Sequence, residues 1–376
     1  MSDIPFHKPW IGATEQGRVS QALAGRLSGD GPFCRLVESR LAELLGVPRV
    51  LLTTSCTHAM ELALLALGIG PGDEVICPSF TFVSTANAVL RVGARPVFAD
   101  IDIETLGLSP QDTEKRLGPR TRGVIPVHYA GLAADMDGLS ALAASARIRI
   151  VEDAAHGLAA SWRGRPLGTL GDAGCFSFHE TKNITCGEGG ALALRDPEIA
   201  KQAEIIREKG TNRSAFFRGE VDKYTWVAEG SSYILADPLA ALLDAQLDRL
   251  DEIQLRRKQV YERYLEGLSG WAAQHGMQLP RARPEQGLSF HIFYVLYPDE
   301  GRRDRAIAAL KANGIQASFH YVPLHLSPHG RAFAANGSLP VTESVAARLL
   351  RLPLHPQLST RDVDRVIDAV RRTSAS

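Results

Sequence analysis

Short apolar, β-branched runs recur through the first half of the chain at intervals that helices can fill. That alternation restricts the fold to a largely parallel sheet covered by helices. Val50-Leu51-Leu52 leads into the turn Thr53-Thr54-Ser55, and a helical run is predicted from Thr57 to Leu67. Pro71-Gly72-Asp73 marks a turn, after which Glu74 to Pro78 reads as a strand and Phe82 to Gly93 as a helix. Further strands are expected over Arg95 to Ala99, Gly123 to Val127, Arg147 to Glu152 and Gly174 to Phe178. After Asp237 a helical pattern with few breakers runs towards Leu268. Beyond it, Ser289 to Leu296 and Ser318 to Val322 read as extended, and Asp304 to Ala312 and Thr360 to Arg371 as helical. The expected organisation is an N-terminal arm (1–30), a large α/β domain (31–250) and a smaller α+β domain (251–376), which a chain of 376 residues can accommodate.

Bulk properties exclude several classes of partner. The formal net charge is +0, so no global field attracts nucleic acid or an anionic membrane, and any phosphate recognition must be local. The N-terminus has no basic-then-apolar leader, and no apolar run approaches the roughly 18 residues a membrane span needs. Cys34, Cys56, Cys77, Cys175 and Cys186 are odd in number, scattered, and never in a CxxC pair. Reduced thiols in a cytoplasmic protein are the expectation, with neither a disulfide frame nor a metal site.

Three segments fall where strands should end, and ligands of open α/β sheets collect at those carboxyl ends. In Thr53-Thr54-Ser55-Cys56-Thr57-His58-Ala59, small residues at a strand-to-helix turn can present backbone N–H groups to a phosphate. An ordinary N-cap at Ser55 or Thr57 accounts for the same residues. In Glu152-Asp153-Ala154-Ala155-His156, a carboxylate ends a buried strand, which is costly unless a cation or donors meet it. The pyridinium N–H of pyridoxal 5′-phosphate (PLP) would be such a partner, with His156 beside the ring oxygen. A capping Asp153 and a satisfied loop histidine are the plainer alternative. In Phe176-Ser177-Phe178-His179-Glu180-Thr181-Lys182-Asn183, followed by Cys186-Gly187-Glu188-Gly189-Gly190, a strand delivers a lone lysine into a glycine-rich turn. A lysine is normally a solvated surface charge. The chain has only eight of them, and a desolvated one can be neutral at ordinary pH and form a Schiff base.

Taken together, PSFTFVSTANA (78–88), PVHYAG (126–131), EDAAH (152–156) and FSFHETKN (176–183) closely resemble the DegT/DnrJ/EryC1/StrS sugar aminotransferases, which are fold-type-I PLP enzymes. The similarity runs from Ile4 to Leu354. REKGTNRSAFFRGEVDKYTW (207–226) looks like the branch that makes TDP-4-amino-4,6-dideoxyhexoses from TDP-4-keto-6-deoxy-D-glucose, while KNITC (182–186) is also similar to enzymes aminating a UDP-linked 4-keto-pentose. The resemblance implies PLP held covalently by Lys182 as an internal aldimine, Asp153 at the pyridinium and Phe82 against the ring. Cys56, Thr57 and Ser177 would take the phosphate and His156 the ring oxygen, a role glutamine fills in some relatives. Many relatives bring an asparagine from the second subunit to the phosphate; here the matching stretch is Gly230-Ser231-Ser232-Tyr233-Ile234, which puts Ser232 in that role. Substrate contacts are implied at Phe6, Arg213, Lys223, His320 and Tyr321. Glutamate as donor and a homodimer with shared sites follow from the same resemblance. Members with histidine in place of the lysine dehydrate instead; Lys182 favours transamination. A nicotinamide oxidoreductase would need a GxGxxG turn, which the Ser55 region lacks, and a non-catalytic PLP-binding regulator is the remaining rival.

Overall fold

The computed structural model describes residues 3–334 and 337–373. Its centre is a seven-stranded sheet built from β1 (Arg49–Thr53), β2 (Glu74–Pro78), β3 (Arg95–Ala99), β4 (Thr121–Val124), β5 (Arg149–Asp153), β8 (Ala173–Ser177) and β9 (Gly190–Leu194), in the order β1-β9-β8-β5-β4-β2-β3. All neighbours are parallel except β9, which runs antiparallel to both β1 and β8. Between β5 and β8, β6 (Ser161–Trp162) pairs with β7 (Arg165–Pro166) on one side and with β10 (Gln286–Gly287) on the other, in a small separate sheet. The α/β class with a mostly parallel sheet is therefore as expected, and helices cover both faces of the apolar strands.

Most predicted elements appear within two or three residues of their expected limits. The helix after β1 is Cys56–Ala66, that after β2 is Val83–Arg91, and the last is Thr360–Arg372. Three expectations are corrected. The long run after Asp237 is two helices, Asp237–Asp248 and Leu250–His275, broken at Arg249, whose backbone leaves helical values. The run from Ser289 contributes only β11 (Phe293–Leu296), because Phe290 takes a positive φ of 51° that no strand accommodates. Ser318 to Val322 joins no ladder beyond a single bridge from Ser318 to Arg351. β9 carries no local strand signal. Its residues Gly190-Ala191-Leu192-Ala193-Leu194 have little strand propensity, yet all are buried between two partner strands.

Past the sheet, β11 pairs antiparallel with β12 (Leu349–Leu352). Helix Thr360–Arg372 turns Val363, Val366, Ile367 and Val370 onto Tyr264, Leu268 and Trp271 of helix Leu250–His275. The N-terminal segment is not a free arm: Ile4 bridges Ile315 and is 2% exposed in this same cluster, and helix Ala13–Leu23 packs on helix Asp237–Asp248. No helix among the described residues is long and apolar enough to cross a membrane.

Candidate active site

The carboxyl ends of β1, β2, β5 and β8 meet the amino end of β9 at one edge of the sheet, and a cavity of about 570 Å³ opens there. Of the residues singled out from the sequence, Cys56, Thr57, Phe82, Asp153, His156, Ser177 and Lys182 line it. Phe6 reaches it from the N-terminal segment, and His320 and Tyr321 from beyond β11. Three expected residues are elsewhere on this chain. Ser232 is exposed and bridges Glu208; Lys223 is exposed. Arg213 is held by Asp30 (3.0 Å) and Glu208 (2.9 Å), with its guanidinium 4.8 Å from the Phe217 ring centroid.

One end of the cavity suits an anion. Helix Cys56–Ala66 starts there, and its N-cap Ser55 accepts from the His58 N–H, so the capping reading of this segment holds. The cap satisfies a single donor. The N–H groups of Cys56 and Thr57 keep no acceptor among the described residues and remain available at the positive end of the helix. Thr57 Oγ1 donates to Ser84 Oγ (2.8 Å), placing two hydroxyls beside them. Gly190 opens this corner. A Cβ there would lie 2.3 Å from the carbonyl carbon of Ser55 and 2.4 Å from Cys56 N, so any larger residue would displace the helix start.

At the centre, Asp153 is 5% exposed and its carboxylate meets only neutral donors, Thr85 Oγ1 (2.8 Å) and Ala155 N (3.2 Å). It forms no ion pair among the described residues. Burial pushes its pKa up, and the Thr85 and Ala155 hydrogen bonds and the Lys182 charge oppose that. Desolvation pushes the Lys182 amine down, towards the neutral form. His156 is driven well below the usual histidine range by burial and then by Lys182, so its ring is neutral. Its Nδ1 accepts from Ala130 N–H (3.3 Å), which places the proton on Nε2.

Glu152, one residue before Asp153, shapes this end of β5. It is fully buried, and its oxygens accept from Gly168 N (2.8 Å), Leu170 N (2.6 Å), Gly171 N (2.6 Å) and His128 Nε2 (2.8 Å). His128 Nδ1 in turn accepts from Ala134 N (3.2 Å), which fixes the tautomer. Four donors converge on two oxygens, so Glu152→Gln would turn an NH₂ group against at least one N–H. A loss of about 2–4 kcal/mol in folding stability is expected. Urea unfolding of the variant checks this; a midpoint equal to wild type would contradict it.

Several site residues had no sequence assignment. Ser84, on the cavity wall, and Thr85, behind it on Asp153, belong to the quoted PSFTFVSTANA stretch, and a helix beginning at Val83 would have brought both into its first turn. His291, Arg257 and Arg351 come from the far part of the chain, and no local pattern marks them. The His291 ring lies 4.3 Å from His156, and its Nδ1 pairs with Asn183 Oδ1 (2.7 Å). Arg257 is 1% exposed, with Nε on the Phe290 carbonyl (3.0 Å) and Nη2 on that of His291 (2.7 Å).

A helix terminus open to an anion, a buried carboxylate lacking a cation and a desolvated amine in one cavity fit the phosphate, the pyridine nitrogen and the aldehyde of PLP. The model of the DegT/DnrJ/EryC1/StrS aminotransferase family matches residues 9–371. Among solved structures, the aminotransferase TlmJ from Streptoalloteichus hindustanus is 36% identical over 100% of this chain and 99% of its own, with a TM-score of 0.91. DesV from S. venezuelae is 36% identical over 100% of both chains, with a TM-score of 0.90. The putative sugar aminotransferase Spr1654 from Streptococcus pneumoniae, solved in its PMP form, is 29% identical over 99% of both, with a TM-score of 0.92. The cavity chemistry, the family match and these full-length likenesses agree: this chain belongs to the PLP-dependent DegT/DnrJ/EryC1/StrS aminotransferases.

Proposed function

We propose that the chain aminates a nucleotide-linked keto sugar, TDP-4-keto-6-deoxy-D-glucose above others, with L-glutamate as donor. The products would be TDP-4-amino-4,6-dideoxy-D-glucose or -galactose and 2-oxoglutarate. The observation that carries the aminotransferase part is the meeting of Lys182, Asp153 and the start of helix Cys56–Ala66 in one cavity. The sugar part rests on the likeness of residues 207–226 to that branch of the family and on the name borne by Spr1654.

PLP, when bound, supplies an electron sink for negative charge on the carbon beside the transferred nitrogen. Asp153 would hold the pyridine nitrogen, and the Cys56 and Thr57 amides with Thr57, Ser84 and Ser177 hydroxyls the phosphate. Phe82 would cover a ring face, and His156 Nε2–H would donate to the ring oxygen. Lys182 Nζ, whose pKa burial lowers, would take the α-proton of the donor. It later delivers a proton to the sugar carbon from one face, which sets the configuration of the new amine. The expected result is that kcat/KM for TDP-4-keto-6-deoxyglucose far exceeds that for the UDP-linked 4-keto-pentose. Comparable values would contradict the substrate assignment, and product NMR would read the C4 configuration.

The active unit in this reading is a homodimer with composite sites. Phe217 (62% exposed), Tyr224 and Trp226 (77% exposed) crowd the segment 207–233, an apolar surface unusual for a monomer. Lys223 and Ser232 sit on the same segment, away from their own chain's cavity. A two-fold axis would carry them to the partner's cavity. Mixing Lys182→Ala chains with chains changed at Lys223 and Ser232 tests this. Two separately inactive proteins should regain part of their activity as hybrid dimers. No recovery after proven subunit exchange would mean that each site is built within one chain. The five buried free thiols support a reducing, cytoplasmic setting.

A further inference from the structure

Thr85 and Thr81 form a chain of buried hydroxyls behind Asp153 that the mechanism above does not use. Thr85 is 0% exposed and stands in the first turn of helix Val83–Arg91, and Thr81 is 2% exposed, just ahead of that helix. Thr85 Oγ1 donates to Asp153 Oδ2 (2.8 Å), and Thr81 Oγ1 lies 2.7 Å from Thr85 Oγ1. Proton counting gives the direction of the second bond. Thr85 has one hydroxyl proton, already on Asp153, so the Thr81 hydroxyl is the donor. With the chain reversed, the Thr81 proton would face no acceptor among the described residues. Both dipoles therefore point at the carboxylate, and hydrogen bonds in series strengthen one another where the dielectric is low.

Such a chain favours one protonation state. Hydrogen bonds onto an ionised acceptor are roughly twice as strong as those between neutral groups, so the two hydroxyls stabilise the carboxylate over the acid. Burial raises the pKa of Asp153, and Thr85 heads the groups that oppose the rise, ahead of the Ala155 N–H and the Lys182 charge. The carboxylate is also aimed. The Asp153 N–H donates to the Pro126 carbonyl (2.9 Å), and its carbonyl accepts from His128 N–H (3.1 Å). Thr85 and Ala155 N–H hold one carboxylate oxygen each (2.8 and 3.2 Å). Thr85 is itself fixed by its N–H on the Phe82 carbonyl (3.2 Å).

We propose that Thr85, backed by Thr81, is a positioning residue for transamination, keeping Asp153 an ionised and fixed partner for the pyridine nitrogen of PLP. This rests on the reading that Asp153 faces that nitrogen. Thr85 is not on the cavity wall, so it acts only through Asp153. Its effect falls on the electron sink and not on substrate binding, because a pyridine nitrogen without its proton withdraws less charge from the reacting carbon.

The test uses the holoenzyme loaded with PLP isotopically labelled at its ring nitrogen, whose NMR resonance reports whether that nitrogen carries a proton. Valine has the shape of threonine without the hydroxyl. Thr85→Val should move the resonance towards that of unprotonated pyridine and lower kcat about tenfold to a hundredfold. KM for both substrates should change little. Thr85→Ser keeps the hydroxyl and should restore both the resonance and kcat, whereas Thr81→Val should give a smaller shift in the same direction. A packing role alone would leave the resonance in place, and the smaller serine would not mend it. If Thr85→Val does not fold, as judged by circular dichroism, Thr81→Val decides, and an unchanged resonance in it overturns the proposal. So does a folded Thr85→Val protein with the wild-type resonance. Asp153→Asn in the same measurement separates the two readings. A resonance moved by Asp153→Asn but not by Thr85→Val sinks the role of Thr85 and leaves that of Asp153 standing. A resonance unmoved by Asp153→Asn sinks the reading of Asp153, and the proposal with it.

Discussion

Lys182→Ala is expected to abolish transamination while the fold stays intact. The lysine's backbone is anchored by its own N–H on the His179 carbonyl (2.9 Å), and its side chain makes no hydrogen bond among the described residues. Truncation therefore removes a cavity-wall amine and no structural contact. In the proposed mechanism the loss is compound, since the residue that would hold the cofactor would also move the proton. Such roles act as a unit, and removing the group forfeits both at once. A fall in kcat/KM of at least roughly four orders of magnitude follows from losing positioned acid–base catalysis together with covalent attachment. Borohydride reduction of the wild type followed by peptide mapping should place the pyridoxyl group on Lys182. Recovery of that group on another of the eight lysines would sink the assignment. Circular dichroism of the variant should match wild type, which separates loss of chemistry from loss of fold.

Asp153→Asn should leave PLP bound yet slow the reaction by about two to three orders of magnitude, equivalent to about 3–4 kcal/mol in the transition state. The carboxylate is 5% exposed, and in the proposed arrangement a neutral amide in its place would not keep the pyridine nitrogen in its protonated, electron-withdrawing form. Both present partners of Asp153, Thr85 Oγ1–H and Ala155 N–H, are donors onto its oxygens. An asparagine can accept both with its single oxygen or turn its NH₂ against one of them. A modest loss of stability should therefore accompany the kinetic one. A variant turning over at nearly the wild-type rate would show that Asp153 only caps the turn at Ala155.

Legibility in the sequence tracked distance along the chain. β2 and β3 fall where their β-branched runs and flanking Pro-Gly-Asp and glycine turns put them, because turn chemistry and period-two burial are local properties. The residues at the ends of β1, β5 and β8 were readable for the same reason: each stands at a strand-to-loop junction where a small residue, a carboxylate or a lysine is out of place unless something binds there. β9 was not readable, since its strand character comes wholly from being enclosed by β1 and β8. Neither was the break at Arg249, where a continuous helical pattern gives way to two separately packed helices.

By itself, then, the sequence determined the class of fold and the cofactor, and it singled out Lys182 and Asp153 as candidates to hold that cofactor, all through short motifs that carry their own chemistry. Only the tertiary structure decided which distant side chains complete the site. Arg257 enters the cavity from helix Leu250–His275, His291 from just before β11, Arg351 from β12 and Phe6 from the N-terminal segment. No local pattern records an approach between residues hundreds of positions apart. Tertiary packing also assigned Arg213 to Asp30 and Glu208 on its own chain, and left Lys223 and Ser232 outside that chain's cavity. The physical reason is the same in each case: propensity and periodicity are properties of neighbours in sequence, whereas burial, charge compensation and cavity walls belong to neighbours in space.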